Sequence, residues 1–359
     1  MKLLITGVCG YVGSRLAVRF IGSLSNIEIY GIDNLSRRGA ETNIKPLQQL
    51  GVKFIHGDIR MASDVQALPN ADWVIDCAAN PSVIAGLPTI GNCTPKQLIE
   101  HNLIGTVHIL EYCRERKAGL ILLSTNRVYS IQELLRIPLR ETPTRFEPIF
   151  PSPVQIPGFS ERGISEEFPT TTPVSLYGAT KLASEILALE YGEAFGFPVW
   201  VNRCGVIAGP GQFGKADQGI FSYWVYSFAL GRPLYYIGWG GTGKQVRDCV
   251  TAEDVAELVI RQMSDPNRDV SRITNVGGGV KGAMSLRELT DFCASYFGKE
   301  VPIDRVEENR RYDIPYYVTD FTKAQQAWGW QPSHTAEEIV EQLCEWTMNN
   351  MDFVRGLVG

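Results

Sequence analysis

The sequence predicts an α/β protein, a doubly wound parallel sheet with helices on both faces, followed by a smaller α/β lobe. Three features predict it. Short apolar runs alternate with helical periodicity up to residue 203, a glycine-rich turn joins the first run to the first helix, and the alternation stops after residue 203. Strands read at Lys2–Thr6, Glu28–Ile32, Val52–His56, Trp73–Cys77 and Leu120–Ser124, with one more at 198–203. Their near-continuous apolar character suits strands buried on both faces. Helical spacing falls between them: Leu103, Val107 and Leu110 recur at i, i+4, i+7, as do Leu182, Ile186 and Leu189.

Two places break the rhythm. Eight of the 20 prolines lie between Pro138 and Pro173, which excludes a long helix or a central strand there. A loop of that length inside a domain is more often a functional cover than a linker. Residues 205–219 are rich in Gly and Pro, 221–239 in aromatics, and helical patterns return at 252–263, 285–297 and 334–348. The expected organisation is a first lobe of 1–203 to which 245–276 returns, a second lobe of 204–244 with 277–359, and a cover at 138–173.

The 359 residues are 44% hydrophobic and 20% charged, enough apolar surface for a full core and too ordinary a charge content for wholesale disorder. Basic side chains number 34 against 39 acidic, and the net charge of −5 argues against a nucleic-acid partner, which needs clustered Lys and Arg. No apolar run reaches the length of a membrane span. The eight cysteines are scattered without a Cys-x-x-Cys pair, and the four histidines (His56, His101, His108, His334) form no ligand pattern. Neither a disulfide framework nor a metal site is expected, and the expected compartment is the cytoplasm. Arg15 and Arg19 interrupt what would otherwise pass for a signal peptide.

The glycine turn reads Thr6-Gly7-Val8-Cys9-Gly10-Tyr11-Val12-Gly13, after a strand and opening a helix. Such glycines permit a tight turn, close approach of the backbone to a pyrophosphate and close helix packing, while the helix N-terminus favours negative charge. Asp33, 20 residues after Gly13 at the end of the second strand, is placed to bind a ribose diol and to repel a 2′-phosphate. A dinucleotide is expected there, NAD rather than NADP, with Arg37 and Arg38 read as solvated loop residues. Asp58, ending the third strand, is expected to reach the adenine.

Tyr177-Gly178-Ala179-Thr180-Lys181 is the only Tyr-x-x-x-Lys in the chain. Positions i and i+4 share a helix face, so the ammonium can sit near the phenol and lower its proton affinity. A phenolate so tuned can take a hydroxyl proton while hydride leaves the carbon. Upstream, Ser124-Thr125-Asn126-Arg127-Val128-Tyr129 brings a hydroxyl to the C-terminal edge of the sheet.

In this order, the glycine turn, the acidic residue, the Ser/Thr strand end and Tyr-x-x-x-Lys resemble the extended short-chain dehydrogenase/reductase superfamily, over nearly the whole chain. Asp76-Cys77-Ala78-Ala79, Asn102 with Gly105-Thr106, Gly209-Pro210 and Arg247-Asp248 before Asp254 look like the superfamily too. The resemblance implies a Rossmann domain and NAD held by Gly7, Gly10, Tyr11, Val12, Gly13, Asp33, Asn34, Ser36, Arg37, Asp58, Ile59, Ala78, Ala79, Asn102, Tyr177 and Lys181. It also implies a homodimer or homotetramer formed through helices around 95–117 and 178–195. Buried packing within one chain explains the same apolar residues.

Among nucleotide-sugar enzymes of that superfamily, 4,6-dehydratases carry carboxylates beside the catalytic Thr. Here Asn126 and Arg127 follow Thr125, so elimination of water is not expected. Asn34-Leu35-Ser36-Arg37-Arg38-Gly39-Ala40, Gln212-Phe213 with Asp217-Gln218-Gly219, and Gly243-Lys244-Gln245-Val246-Arg247-Asp248 look like the CDP-paratose 2-epimerase family. That resemblance implies Thr125, Tyr177 and Lys181 as the catalytic set. Asn126, Gln212, Phe213, Gln218, Gly219, Arg247 and Arg310 would bind a CDP- or UDP-linked sugar, the two arginines at its diphosphate. Ser130, Val206 and Asp76 depart from the patterns usual at their positions. A UDP-hexose or UDP-uronate 4-epimerase is the alternative, and an NAD-binding protein without turnover is the reading from another class.

Overall fold

The computed structural model describes residues 1–87, 93–215 and 218–358. Its central sheet has seven parallel strands: β1 (Lys2–Thr6), β2 (Glu28–Asp33), β3 (Lys53–His56), β4 (Trp73–Asp76), β5 (Gly119–Thr125), β6 (Val199–Cys204) and β7 (Ile273–Val276). In space they run β7-β6-β5-β4-β1-β2-β3. The winding reverses between β1 and β4, and a crevice opens beyond the strand ends at such a point. Every residue of β5 and β6 is buried. In β5, Ile121 and Leu123 face a core shared with α1 (Tyr11–Ser23) and α4 (Ala252–Ser264). Leu120 and Leu122 face the opposite core, which includes Ile109 of α2 (Gly105–Arg116) and Ala188 of α3 (Ser175–Phe195).

The returning segment divides. Val246–Val250 belongs to the smaller sheet, with Val206–Ile207, Ala283–Ser285 and Tyr316–Tyr317, and only α4 and β7 join the first lobe. The return therefore starts at Thr251, whose hydroxyl caps α4 by accepting from the Asp254 N–H. In the second lobe, helices Leu286–Phe297 and Ala336–Asn349 each open on a capping box, Ser285 with Glu288 and Thr335 with Glu338.

No described residue of the proline-rich segment lines the cavity between the lobes. The segment forms two short hairpins, Leu139–Glu141 with Phe146–Pro148 and Phe159–Ser160 with Gly163–Ile164. Both are fastened to the second lobe: Arg145 pairs with Glu288 at 2.5 Å, the Phe146 N–H donates to the Lys244 carbonyl, and the Ile164 N–H donates to that of Val318. Ile156, Ile164 and Phe168 bury against Tyr316, Tyr317 and Val318, and Asn275 of β7 donates to the Ile164 carbonyl, so the segment joins the second lobe to the edge of the central sheet. The segment clasps the second lobe.

Helix α3 also departs from expectation. Its buried face carries Tyr177, Lys181, Ser184, Glu185 and Ala188, while Ile186 of the apolar stripe is 56% exposed. The cause is an ion pair beneath the helix. Arg203 of β6 donates to Glu185 through Nε and Nη2, the latter at 2.7 Å, and the Ser124 hydroxyl donates to the same carboxylate. Arg203 also lies over the Tyr129 ring, whose hydroxyl donates to Asn275 of β7. Before α2, a π-turn over Glu100–Ile104 rotates the helix so that Asn102 and Thr106 are buried, and Leu103 and Val107 are only half-buried.

Two predictions follow from these buried charges. Removing one partner leaves an unpaired charge, so Arg203→Met should cost about 3–5 kcal/mol in urea unfolding, and the double variant with Glu185→Met should recover most of that loss. Burial raises the Asp248 carboxyl to about 6, although it accepts a hydrogen bond from the Gly279 N–H. A raised folded value means the neutral acid is the form the fold favours. Its contribution is complete below pH ~4 and is lost as pH rises through the raised value. Asp248→Asn should therefore gain stability relative to the parent between those limits, by an amount on the order of 2 kcal/mol, read as the difference between the two pH–stability curves.

Candidate active site

A cavity of about 890 Å³ runs along the C-terminal ends of the central strands and under the second lobe. At one end lies the glycine turn. A Cβ on Gly13 would stand 2.3 Å from the Gly7 carbonyl oxygen, so only glycine lets α1 begin this close to β1. The helix starts after Gly10 with no side-chain cap and no acidic residue in its first turn. Its first amide donors are therefore left for an anion. Gly7, Gly10, Tyr11, Val12 and Gly13 all line the cavity.

Asp33 accepts from the Cys9 and Leu35 N–H groups at 2.9 and 2.8 Å, which fixes its carboxylate at the cavity wall. Asn34, Ser36 and Arg37 continue that wall. Arg37 donates to the Phe213 carbonyl and Arg38 to that of Gly356, so the expected solvated arginines tie this loop to the second lobe and the last helix. Asp58 and Ile59 complete this end. Burial works against the Asp58 charge, but Arg60 and Asn34 outweigh it and hold the carboxyl well below the usual range.

Across the turn, the Thr6 hydroxyl donates to the buried Asp76 at 2.6 Å and accepts from the Cys77 and Ala78 N–H groups. This sets Ala78 and Ala79 in the cavity wall. Asn102, expected to touch the cofactor, does not line the cavity. Its amide exchanges hydrogen bonds with the Asn80 backbone and reaches Thr180, because the π-turn directs it inward, and it positions the 78–80 loop instead.

At the centre, Thr125, Asn126, Tyr177 and Lys181 meet. A Cβ on Gly178 would lie 2.3 Å from the Arg127 carbonyl oxygen, so a glycine there lets α3 press against the turn that follows β5. Burial pushes the Tyr177 phenol upward, opposed by its hydrogen bond with Thr125 and by the charge of Arg127. The expected acidifying charge was Lys181, and the structure supplies Arg127 in that part. Burial lowers Lys181, with Asp76 and Glu185 favouring its charge. The ammonium makes no hydrogen bond to any described residue, a donor that a ribose diol would satisfy. The unpaired helix end, the Asp33 carboxylate and this ammonium together fit a dinucleotide.

Beyond Tyr177, Gln212, Phe213, Gln218, Gly219, Arg247 and Arg310 line the far wall. Gln212 is spent internally, donating to the Ile207 carbonyl and accepting from Ser222. Arg247 donates to Asp313 at 3.1 Å and to the Ile314 carbonyl, and burial lowers it to about 10. Asp217 lies outside the described residues. The motif reading passed over Arg127 and Gln245, although each stands within a motif already quoted, and over Asp313, three residues after Arg310. Among the described residues, no cluster of three His, Cys, Asp or Glu is placed to hold a metal ion.

Comparison with known proteins agrees with this geometry. Residues 3–277 match the model of the NAD dependent epimerase/dehydratase family. The chain is 31% identical to a CDP-paratose 2-epimerase of Salmonella typhi, covering 97% of this chain and 99% of that protein. It is 25% identical to a UDP-glucuronate 4-epimerase of Thermodesulfobacterium geofontis, over 99% and 98%. The UDP-glucose 4-epimerase of Bifidobacterium longum, solved with NAD+ and UDP, shares the fold at a TM-score of 0.78 with 20% identity, over 98% of this chain and all of that one. A glycine turn before an uncapped helix, with a buried Tyr and Lys facing it across one cavity, is thus found in a chain that belongs to the NAD dependent epimerase/dehydratase family.

Proposed function

We propose that this NAD-dependent enzyme is a nucleotide-sugar epimerase, an isomerase that inverts C2 of a CDP-linked hexose. One observation carries the reading beyond the family. The acidic residues lining the cavity, among those described, are Asp33, Asp58 and Asp313. The first two stand at the dinucleotide end, and Asp313 is engaged by Arg247 and the Trp239 indole N–H. Among the described residues lining the cavity, no carboxylate remains beside Thr125 and Tyr177 to move water on and off neighbouring carbons, which disfavours a dehydratase. The 31% identity over full length to a CDP-paratose 2-epimerase supports C2 and cytidine.

NAD, bound along the glycine turn, supplies a place for a hydride to rest and return from. Thr125 orients the reacting hydroxyl by hydrogen bonding, and Tyr177, acting as its phenolate, accepts the proton as the carbon loses hydride, leaving a ketone and a neutral phenol. With the sugar re-presented by its other face, Tyr177 gives the proton back as hydride returns. Lys181 holds the nicotinamide ribose. Arg247 and Arg310 hold the diphosphate, for which the guanidinium fork is well shaped.

The enzyme works as a homodimer in this reading. Ile104, Leu176 and Ile186, on α3 and the helical run before α2, are 38%, 38% and 56% exposed, and an apolar face of that kind on paired helices supports a second copy as its cover. No described helix is long and apolar enough to cross a membrane. The cytoplasm is the proposed compartment.

Proton NMR of CDP-paratose incubated with the enzyme should show a new anomeric signal with the H1–H2 coupling of an inverted C2. Tyr177→Phe should slow this by about 10²–10⁴-fold with bound NAD retained. An unchanged CDP-sugar beside a UDP-hexose or UDP-uronate inverted at C4 would replace the C2 reading by the 4-epimerase one. Light scattering should give twice the 39.9 kDa chain mass, and Leu176→Lys with Ile186→Lys should halve it. A parent protein already at the single-chain mass would end the dimer proposal.

A further inference from the structure

Arg127 is a charged group of the cavity that the reaction above leaves without a role. It lies two residues after Thr125, in the turn against which α3 packs, and its N–H donates to the Thr125 hydroxyl oxygen at 3.2 Å. Arg127 lines the cavity. Its protein acceptor is the Tyr312 carbonyl, at the long distance of 3.5 Å. Among the described residues no carboxylate lies within 4.0 Å of it, whereas Arg203 and Arg247 both have one. Asp313, the acid whose charge it feels most, is already bonded to Arg247. A guanidinium taken out of water with one long hydrogen bond is costly, and most of its five donors are still to be matched.

The chemistry beside it creates a matching need. A sugar hydroxyl donates and accepts, but once its carbon has lost hydride and its oxygen has lost the proton, the resulting ketone only accepts. A group that only donates therefore gains on the ketone relative to the hydroxyl. Resting on the epimerase reading, we propose that Arg127 is a catalytic residue of this enzyme, a donor to the sugar oxygens that holds the ketosugar in place between removal and return of hydride. Atoms and electrons balance without a further reagent: the C–H pair leaves as hydride and comes back, and the hydroxyl proton passes to Tyr177 and returns. Arg127 remains protonated throughout.

The test compares the holoenzyme with its Arg127→Met and Arg127→Lys variants, each checked first for bound NAD and an unchanged melting temperature. After mixing with CDP-paratose, two signals are followed: the absorbance of reduced nicotinamide on the protein, and ketosugar in the filtrate. The parent should show brief, low reduction and complete epimerisation. Arg127→Met should epimerise on the order of 10²-fold more slowly, accumulate reduced cofactor and release ketosugar in matching amount, and Arg127→Lys should recover part of the rate. Parent-like behaviour of Arg127→Met overturns the proposal, as does slow turnover without accumulated reduction or released ketosugar. A variant that has lost its NAD or its parent melting temperature would show a structural role, and would also overturn it. If the parent shows neither reduction nor inversion with CDP- or UDP-sugars, the epimerase reading itself fails and this proposal with it.

Discussion

The buried contact between Glu185 and Arg203 sets the geometry on which the rest of the site depends. Helix α3 carries an apolar stripe that would pack well against a sheet, yet it turns a polar face inward because a carboxylate on that face meets a guanidinium on β6. Tyr177 and Lys181 lie two turns and one turn before Glu185 on the same face, so the pair that orients the helix also aims the phenol and the ammonium. Ser124 and Tyr129 join the same network, which fixes the end of β5 and with it Thr125. Part of the stability an apolar face would have given is exchanged here for a single orientation.

Charge in the cavity is graded. Its dinucleotide end presents helix amides and two held carboxylates, its centre a phenol, an ammonium and Arg127, and its far wall two arginines, one of them bonded to an aspartate. A ligand with a diphosphate at one side and a neutral sugar in the middle fits that gradient. Such complementarity fixes orientation and rejects wrong partners more than it adds raw affinity.

Much of this was legible in the chain. Strands buried on both faces read as apolar runs, and the glycine turn was legible because a helix that starts so close to the strand before it tolerates no Cβ at Gly13. Tyr177, Lys181 and Thr125 stood out by spacing and order. The departures share one origin, which is contact between residues far apart in sequence. The inward face of α3 depends on Arg203, and the clasp depends on Glu288, Lys244 and Val318 meeting residues 145–164. Asn102 looked like a ligand because local periodicity does not foretell a π-turn. The smaller-sheet membership of Val246–Val250 was hidden in the same way, since its partners lie on either side of it in the chain.

The position of β7 has a consequence for biosynthesis. This strand completes the edge of the central sheet beside β6, yet in the chain it follows the whole of the first segment of the second lobe. As the polypeptide leaves the ribosome, β6 must therefore wait with an apolar, unpaired edge while some seventy further residues, on the order of several seconds of elongation, are added. Over that interval the half-built sheet is a template for any other extended segment, a hazard that edge strands carry generally. The nascent chain should be most dependent on chaperones after Cys204 has emerged and before Val276 has.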